Sequence, residues 1–214
     1  MQLTLFYAPF TCSFVPYLAL TEAGAQFEIQ PVNTRAGQQM TPEYLKLNPK
    51  RKVPVLVVDG QPITETVAIQ IWIARTFPQA KLLPADPIQE TKAISLMAWC
   101  ASGIHPNITR IKAPERFCSV PGTEEDVRRL AAEQLFEHFQ IADDMLEGRE
   151  FFFDRFTVAD AHFVWCFRAG MRFKLDQSRF VNCMAHLERM KRRPSMQKLL
   201  AYEKEIQAEF AAAA

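Results

Sequence analysis

Cys12 is the residue of this 214-residue chain whose place in the sequence best suits chemistry. A short β-type run, Leu3-Thr4-Leu5-Phe6-Tyr7, closes at Ala8-Pro9, and helix formers begin at Ser13. The thiol therefore falls where a strand hands over to a helix. Unpaired N–H groups and the positive end of the helix dipole favour a thiolate at such a point. The competing reading of a lone cysteine is a small buried apolar side chain. Glu65-Thr66 is the second candidate, because it opens another helix. Backbone N–H groups and a hydroxyl there can hold a carboxylate, and the acidic side chain can pair with an ammonium. An ordinary N-terminal cap over Thr64 to Thr66 has the same appearance in sequence. Cys100, Cys118, Cys166 and Cys183 lie in helices or apolar loops and are read as packing. The five cysteines contain no C-x-x-C pair and no metal-ligand spacing. They predict neither a disulfide framework nor a metal site, and they suit a reducing cytoplasm.

The elements that must position these residues are read from apolar periodicity and from glycine and proline punctuation. Gln26 to Val32 alternates apolar and polar residues, so with Leu3–Tyr7 and a helix from Ser13 to Gly24 it makes a βαβ unit. Thr41-Pro42-Glu43 opens a short helix with proline where its missing N–H costs nothing. Val53 to Val58, Asp59-Gly60 and Gln61 to Ile63 read as an antiparallel hairpin. A helix then runs from Thr64-Glu65-Thr66 to Phe77, and prolines at 78, 84 and 87 break the pattern. Beyond them the texture is helical over 88–112, 124–147, 158–173, 179–192 and 195–209. Thr157-Val158-Ala159-Asp160 has capping-box spacing with Asp in place of Glu or Gln, and is read as structural. The expected organisation is an α/β domain over 1–77, a linker over 78–87 and an all-α domain over 88–214, with Ala211 to Ala214 as a frayed end.

Composition narrows the partners. With 49% apolar residues and 7 Gly, the chain has ample material for a core. Its 25 Lys+Arg and 24 Asp+Glu leave no global field to hold nucleic acid or an anionic membrane, so neither is expected as a partner. Residues 1–80 carry 6 basic and 5 acidic side chains, so neither part is a charged tail. No apolar run approaches the roughly 18 residues of a membrane helix. Ala23-Gly24-Ala25 imitates a signal-peptidase site, but no Lys or Arg precedes Arg35 and prolines interrupt the apolar stretch. No signal peptide is expected.

The run Tyr7-Ala8-Pro9-Phe10-Thr11-Cys12-Ser13, with Leu18-Ala19-Leu20-Thr21-Glu22-Ala23-Gly24 after it, resembles the glutathione transferase superfamily, most of all its bacterial beta-type members with a cysteine at the first helix. Asn48-Pro49-Lys50-Arg51-Lys52-Val53-Pro54-Val55-Leu56, Thr64-Glu65-Thr66 and Phe156-Thr157-Val158-Ala159-Asp160 extend the resemblance in the same order over most of the chain. It implies a thioredoxin-like α/β N-terminal domain followed by an all-α C-terminal bundle. It also implies a cytoplasmic detoxification enzyme, homodimeric, with glutathione as co-substrate. On that resemblance the Val53-Pro54 bond is cis, and the N–H and C=O of Val53 bind the cysteinyl part of glutathione as an added strand edge does. Glu65 and Thr66 take the γ-glutamyl end, and Arg35 or Lys52 of the Lys50-Arg51-Lys52 run meets the glycyl carboxylate. His105 matches a histidine that beta-type enzymes place by the thiol, and Tyr7, Cys12 and Ser13 are the candidates to activate it. Two departures, Asn107 where a basic residue is common and Trp165 near the start of its helix, prevent transfer of the electrophile-side residues. Trp99, Phe117, Trp165 and Phe167 are candidates for that lining, although aromatics at helical spacing more often form core.

The activity the resemblance implies is conjugation of the glutathione thiolate to small apolar electrophiles. One rival is reduction of disulfides through a mixed disulfide on Cys12. Another is a binding module of the same fold without turnover.

Overall fold

A computed structural model of the chain describes residues 1–212. They form two compact units, residues 1–83 together with the chain from Arg192 onward, and Pro84–Lys191.

The first unit is built on four strands, β1 (Leu3–Tyr7), β2 (Glu28–Pro31), β3 (Val55–Val58) and β4 (Gln61–Thr64), in the order β2-β1-β3-β4. β1 and β2 are parallel, with Leu5 opposite Ile29, and are joined through α1 (Phe14–Glu22). β3 runs antiparallel to β1, with Leu56 opposite Leu5, and β4 returns antiparallel to β3. This is the thioredoxin-like arrangement expected from the sequence. The hairpin turns on Asp59 (φ 47°) and Gly60 (φ 85°), both in the left-handed region that a two-residue turn of this twist requires. Asp59 also accepts the Gln2 N–H on its carboxylate at 2.7 Å, which ties the hairpin tip to the start of β1.

Every residue of α1 from Phe14 to Leu20 is buried. A helix that is apolar on all sides must be covered on all sides. The covers are β1, α3 (Thr66–Thr76) and α9 (Pro194–Ala212). At the end of α1 the Glu22 carboxylate accepts from Arg193 Nε and Nη2 at 2.8 and 2.7 Å and from the Ser195 hydroxyl. Burial pushes the Glu22 carboxyl up, but those bonds prevail and hold it below its ordinary range. The last helix, which the sequence reading counts with the all-α domain, therefore packs in the first unit. The reason is that α1 has no polar face of its own to present. Of the alanine run expected to fray, Ala211 and Ala212 continue α9, and Ala213 and Ala214 lie outside the described residues.

Strand alternation turns Phe6 to the face opposite Leu5 and Tyr7. There it meets Tyr44 of α2 (Pro42–Leu47) edge-on, with ring centroids 5.9 Å apart. Tyr44 shares this smaller core with Val32 and Val55.

The second unit contains α4 (Pro87–Trp99), α5 (His105–Lys112), α6 (Glu124–Met145), α7 (Val158–Arg172) and α8 (Val181–Lys191). The single helix expected over 88–112 is interrupted by a π-helical turn at Cys100–Ile104. Pro106 explains it, because proline donates no N–H to the carbonyl four residues back and its ring crowds that carbonyl, and a widened turn relieves both. α7 is buried almost throughout and starts at the expected capping box. Asp160 Oδ2 accepts the Thr157 N–H at 2.8 Å and the Thr157 hydroxyl at 2.9 Å, while Oδ1 accepts the Phe152 N–H at 3.1 Å and faces His186 Nε2 at 3.0 Å.

His162 on α7 has no exposed surface, and burial, with His105 adding to it, pushes its pKa down to about 3. Below the ordinary value of 6.5 the unfolded chain takes up a proton that the folded chain refuses. Stability is thus fully present above pH 6.5 and falls as the pH drops toward 3, by up to about 1.4 kcal/mol per pH unit. Denaturant titrations at pH 7 and pH 5 are expected to differ by about 2 kcal/mol from this group, and His162→Leu is expected to show a smaller difference than the parent chain.

Candidate functional site

The turn from Ala8 to Ser13 carries Cys12 and is held from within. The Thr11 hydroxyl donates to the Ala8 carbonyl at 2.8 Å, the Ala8 N–H donates to Ser13 Oγ at 3.2 Å, and the Thr11 and Ser13 hydroxyls lie 2.6 Å apart. Phe10 sits in the left-handed region (φ 62°). Its N–H donates at 2.9 Å to Glu203 Oε1 on α9, and the Tyr7 hydroxyl reaches the same oxygen at 3.4 Å. Tyr7 and Ser13, two of the three candidates for activating a thiol, are fully buried, and their hydroxyls are engaged in holding this turn.

Cys12 retains 9% of its surface. Its thiol donates to the Val53 carbonyl at 3.5 Å and lies within hydrogen-bond reach of the Thr66 side chain, with the charges of Glu65 and Lys52 acting on it. Burial pushes the thiol up to about 11, and the Glu65 carboxylate adds to that, against Thr66 and Lys52, which act the other way. The sequence reading, in which the helix start favours the thiolate, is thus corrected for the resting protein. Helix-end stabilisation of about 0.3–1 kcal/mol is smaller than the cost of a buried charge.

The Val53–Pro54 bond is cis. Just upstream, the Lys52 carbonyl accepts the Tyr44 hydroxyl at 2.7 Å and Asn48 Nδ2 at 2.8 Å. Lys50 Nζ donates to Thr64 Oγ1 at 2.8 Å and forms an ion pair with the Glu65 carboxylate, so the loop before Val53 is tied to the turn before α3. Glu65 occupies the left-handed region (φ 71°), with its side chain 70% exposed beside the partly exposed Lys50. Such a pair is worth about 0–1 kcal/mol and is weakened by salt.

Five of the residues singled out in sequence, Cys12, Lys52, Val53, Glu65 and Thr66, thus meet around one thiol, with Pro54 beside them. Arg35 lies exposed on the turn after β2, its backbone N–H held by Asn33 at 3.1 Å. His105 belongs to the second unit, where its ring packs edge-on against Trp165 at 4.6 Å. Glu203, Thr11, Tyr44 and Asn48 were not singled out as individual site residues. Asn48-Pro49 offers a signal in sequence, whereas nothing near Glu203 marks it. Among the described residues no group of three or more His, Cys, Asp or Glu is placed to hold a metal ion, and no helix is long and apolar enough to cross a membrane.

Residues 1–75 match the family model described as glutathione S-transferase, N-terminal domain. The chain is 30% identical over 203 residues to glutathione S-transferase GstA of Escherichia coli O157:H7, covering 93% of this chain and 98% of that one. It is 30% identical over 175 residues to mouse (Mus musculus) maleylacetoacetate isomerase, covering 78% and 77%. A solved sphingomonad glutathione S-transferase complexed with glutathione superposes with a TM-score of 0.83 at 27% identity, over 94% of this chain and 98% of that one.

Two outcomes follow from the geometry. Glu203→Leu removes the carboxylate that accepts from the Phe10 N–H and the Tyr7 hydroxyl and is expected to cost about 1–3 kcal/mol, whereas Tyr7→Phe, which keeps the shorter bond, costs less than half as much by denaturant titration. Alkylation of Cys12, followed by peptide mass, is expected to rise about tenfold per pH unit from pH 7 to pH 10 without a plateau. Cys118, whose thiol a bond to Thr123 and one to the Val120 backbone hold below its ordinary value, is modified first.

Proposed function

The chain belongs to the glutathione transferase superfamily, and from that premise we propose that it conjugates the thiolate of glutathione to small apolar electrophiles. The observation that carries this reading is the convergence of Cys12, the Val53 backbone and Glu65-Thr66 around one buried thiol. A tripeptide laid along Val53 has its cysteinyl sulfur next to Cys12. Its γ-glutamyl carboxylate finds the start of α3 and the Thr66 hydroxyl. Its ammonium finds Glu65, a carboxylate that already accepts the ammonium of Lys50. Lys52, or Arg35 from its exposed turn, is the cation for the glycyl carboxylate. The sphingomonad relative is complexed with glutathione, which supports glutathione as the co-substrate.

In this reading Cys12 is a hydrogen-bond donor to the bound sulfur. A thiol with a pKa of about 11 holds roughly one part in 10⁴ as thiolate at pH 7, too little for fast attack on a disulfide. Tyr7 and Ser13 shape the turn, and the start of α1 with Cys12 stabilises the thiolate of glutathione. The protein is proposed to act as a cytoplasmic homodimer in detoxification, with sedimentation at micromolar concentration as the check on its assembly. The likeness to maleylacetoacetate isomerase favours a second reading, glutathione-dependent isomerisation of a small unsaturated acid.

Calorimetry is expected to show saturable binding of glutathione, and its absence would overturn the proposal. Peptide mass after treatment with oxidised glutathione is expected to place any covalent adduct on Cys118 rather than on Cys12, and Cys12→Ala is expected to lower turnover of an activated aryl halide by no more than about tenfold, the worth of one hydrogen bond. Loss of all conjugation in that variant would assign Cys12 an obligatory covalent role instead.

A further inference from the structure

We infer that Tyr44 and Asn48 are positioning residues that aim the Val53 N–H at the cysteinyl carbonyl of bound glutathione. The inference rests on the glutathione reading of this site and adds two residues and a direction to it.

Among the described residues Val53–Pro54 is the cis bond, so the preceding Lys52–Val53 peptide is trans. A trans peptide is planar, and its N–H points opposite to its C=O. Whatever holds the Lys52 carbonyl therefore sets the direction of the Val53 N–H. Two donors hold it, the Tyr44 hydroxyl at 2.7 Å and Asn48 Nδ2 at 2.8 Å, one for each lone pair. Both belong to buried side chains, 5% and 1% exposed. Neither is free to swing. Tyr44 is packed among Val32, Val55 and Phe6, and Asn48 accepts the Lys50 N–H on Oδ1 at 3.1 Å and donates its own N–H to the Tyr44 carbonyl at 2.9 Å. Burial, with Cys12 adding to it, raises the Tyr44 phenol above its ordinary value, so it remains a donor at every working pH.

The Val53 N–H therefore points away from the Tyr44 core, and among the described residues no acceptor takes it. The other polar group of the same residue, its carbonyl, faces the Cys12 thiol. Two donors on one carbonyl also polarise the peptide and make its N–H a stronger donor. The arrangement is that of a strand edge with one residue prepared to pair, which is the form in which a sheet edge recognises an extended peptide. A purely structural role for Tyr44 and Asn48 would weaken every ligand alike. A positioning role weakens only those ligands that offer an acceptor to this N–H.

The test uses the full chain and Tyr44→Phe, which keeps the ring and removes one donor, with Asn48→Ala as the second variant. Calorimetry measures glutathione and its analogue in which the cysteinyl carbonyl is reduced to a methylene. Tyr44→Phe is expected to weaken glutathione roughly three- to tenfold, as for the loss of one hydrogen bond, and to leave the analogue unchanged. In the ligand-free protein the Val53 amide proton is expected to shift upfield in the nitrogen–proton spectrum of Tyr44→Phe, with its neighbours in β3 unmoved. Equal weakening of both ligands, or no weakening of either, would overturn the inference. An unmoved Val53 amide would overturn it even where glutathione affinity changes. Failure of the parent chain to bind glutathione, with the amide shift present, would instead remove the glutathione reading and with it the ligand assigned to this N–H.

Discussion

The complete burial of α1 is the constraint on which the first unit depends. Seven consecutive residues, Phe14 to Leu20, bring no polar surface to the helix, so it cannot form one wall of a domain and must lie inside it. Fully burying a large apolar side chain stabilises by about 1.5–3 kcal/mol, and α1 contributes several. That driving force accounts for the chain's last helix lying against its first. It also accounts for Glu22 at the end of α1 being clasped by Arg193 and Ser195 rather than left to water. Because α1 is held from all sides, the turn that leads into it is held too. Glu203 takes the Phe10 N–H while Thr11 and Ser13 close the turn internally.

The same burial decides the state of Cys12. A helix start and a nearby lysine favour its thiolate, and removal from water opposes it. A rise of about two pH units corresponds to about 3 kcal/mol, which exceeds the 0.3–1 kcal/mol that a helix end usually contributes. A thiol kept as S–H is a donor, and its present acceptor is the Val53 carbonyl. The site therefore combines a neutral sulfur donor, a backbone edge turned by a cis proline and an exposed Lys50–Glu65 pair. It is held by buried hydrogen bonds along its backbone and solvated at its charges.

The second unit answers to the equivalent constraint on α7, which is buried over most of its length and carries in its first turn Asp160 with four polar partners. There a buried carboxylate is tolerated because the backbone of the preceding loop and two side chains satisfy it. The widened turn before His105 follows from Pro106 and places the imidazole against Trp165.

The local devices were legible in the sequence because each is local chemistry. The Asp59-Gly60 turn, the proline at the start of α2, the Thr157–Asp160 box and the strand-to-helix handover at Cys12 all rest on residues within a few positions of one another. So did the order of elements, and with the resemblance in Asn48 to Leu56 the identity of most residues around the thiol. What the tertiary structure decided were the pairings between distant positions. Glu203 is separated from Phe10 by most of the chain, and a glutamate on an exposed-looking helical texture carries no mark of a buried acceptor. Tyr44 and Asn48 read as core and turn until the Lys52 carbonyl is seen between them. The protonation of Cys12 was also beyond the sequence, because the helix start is encoded in neighbouring residues whereas burial is a sum over everything that packs around the sulfur.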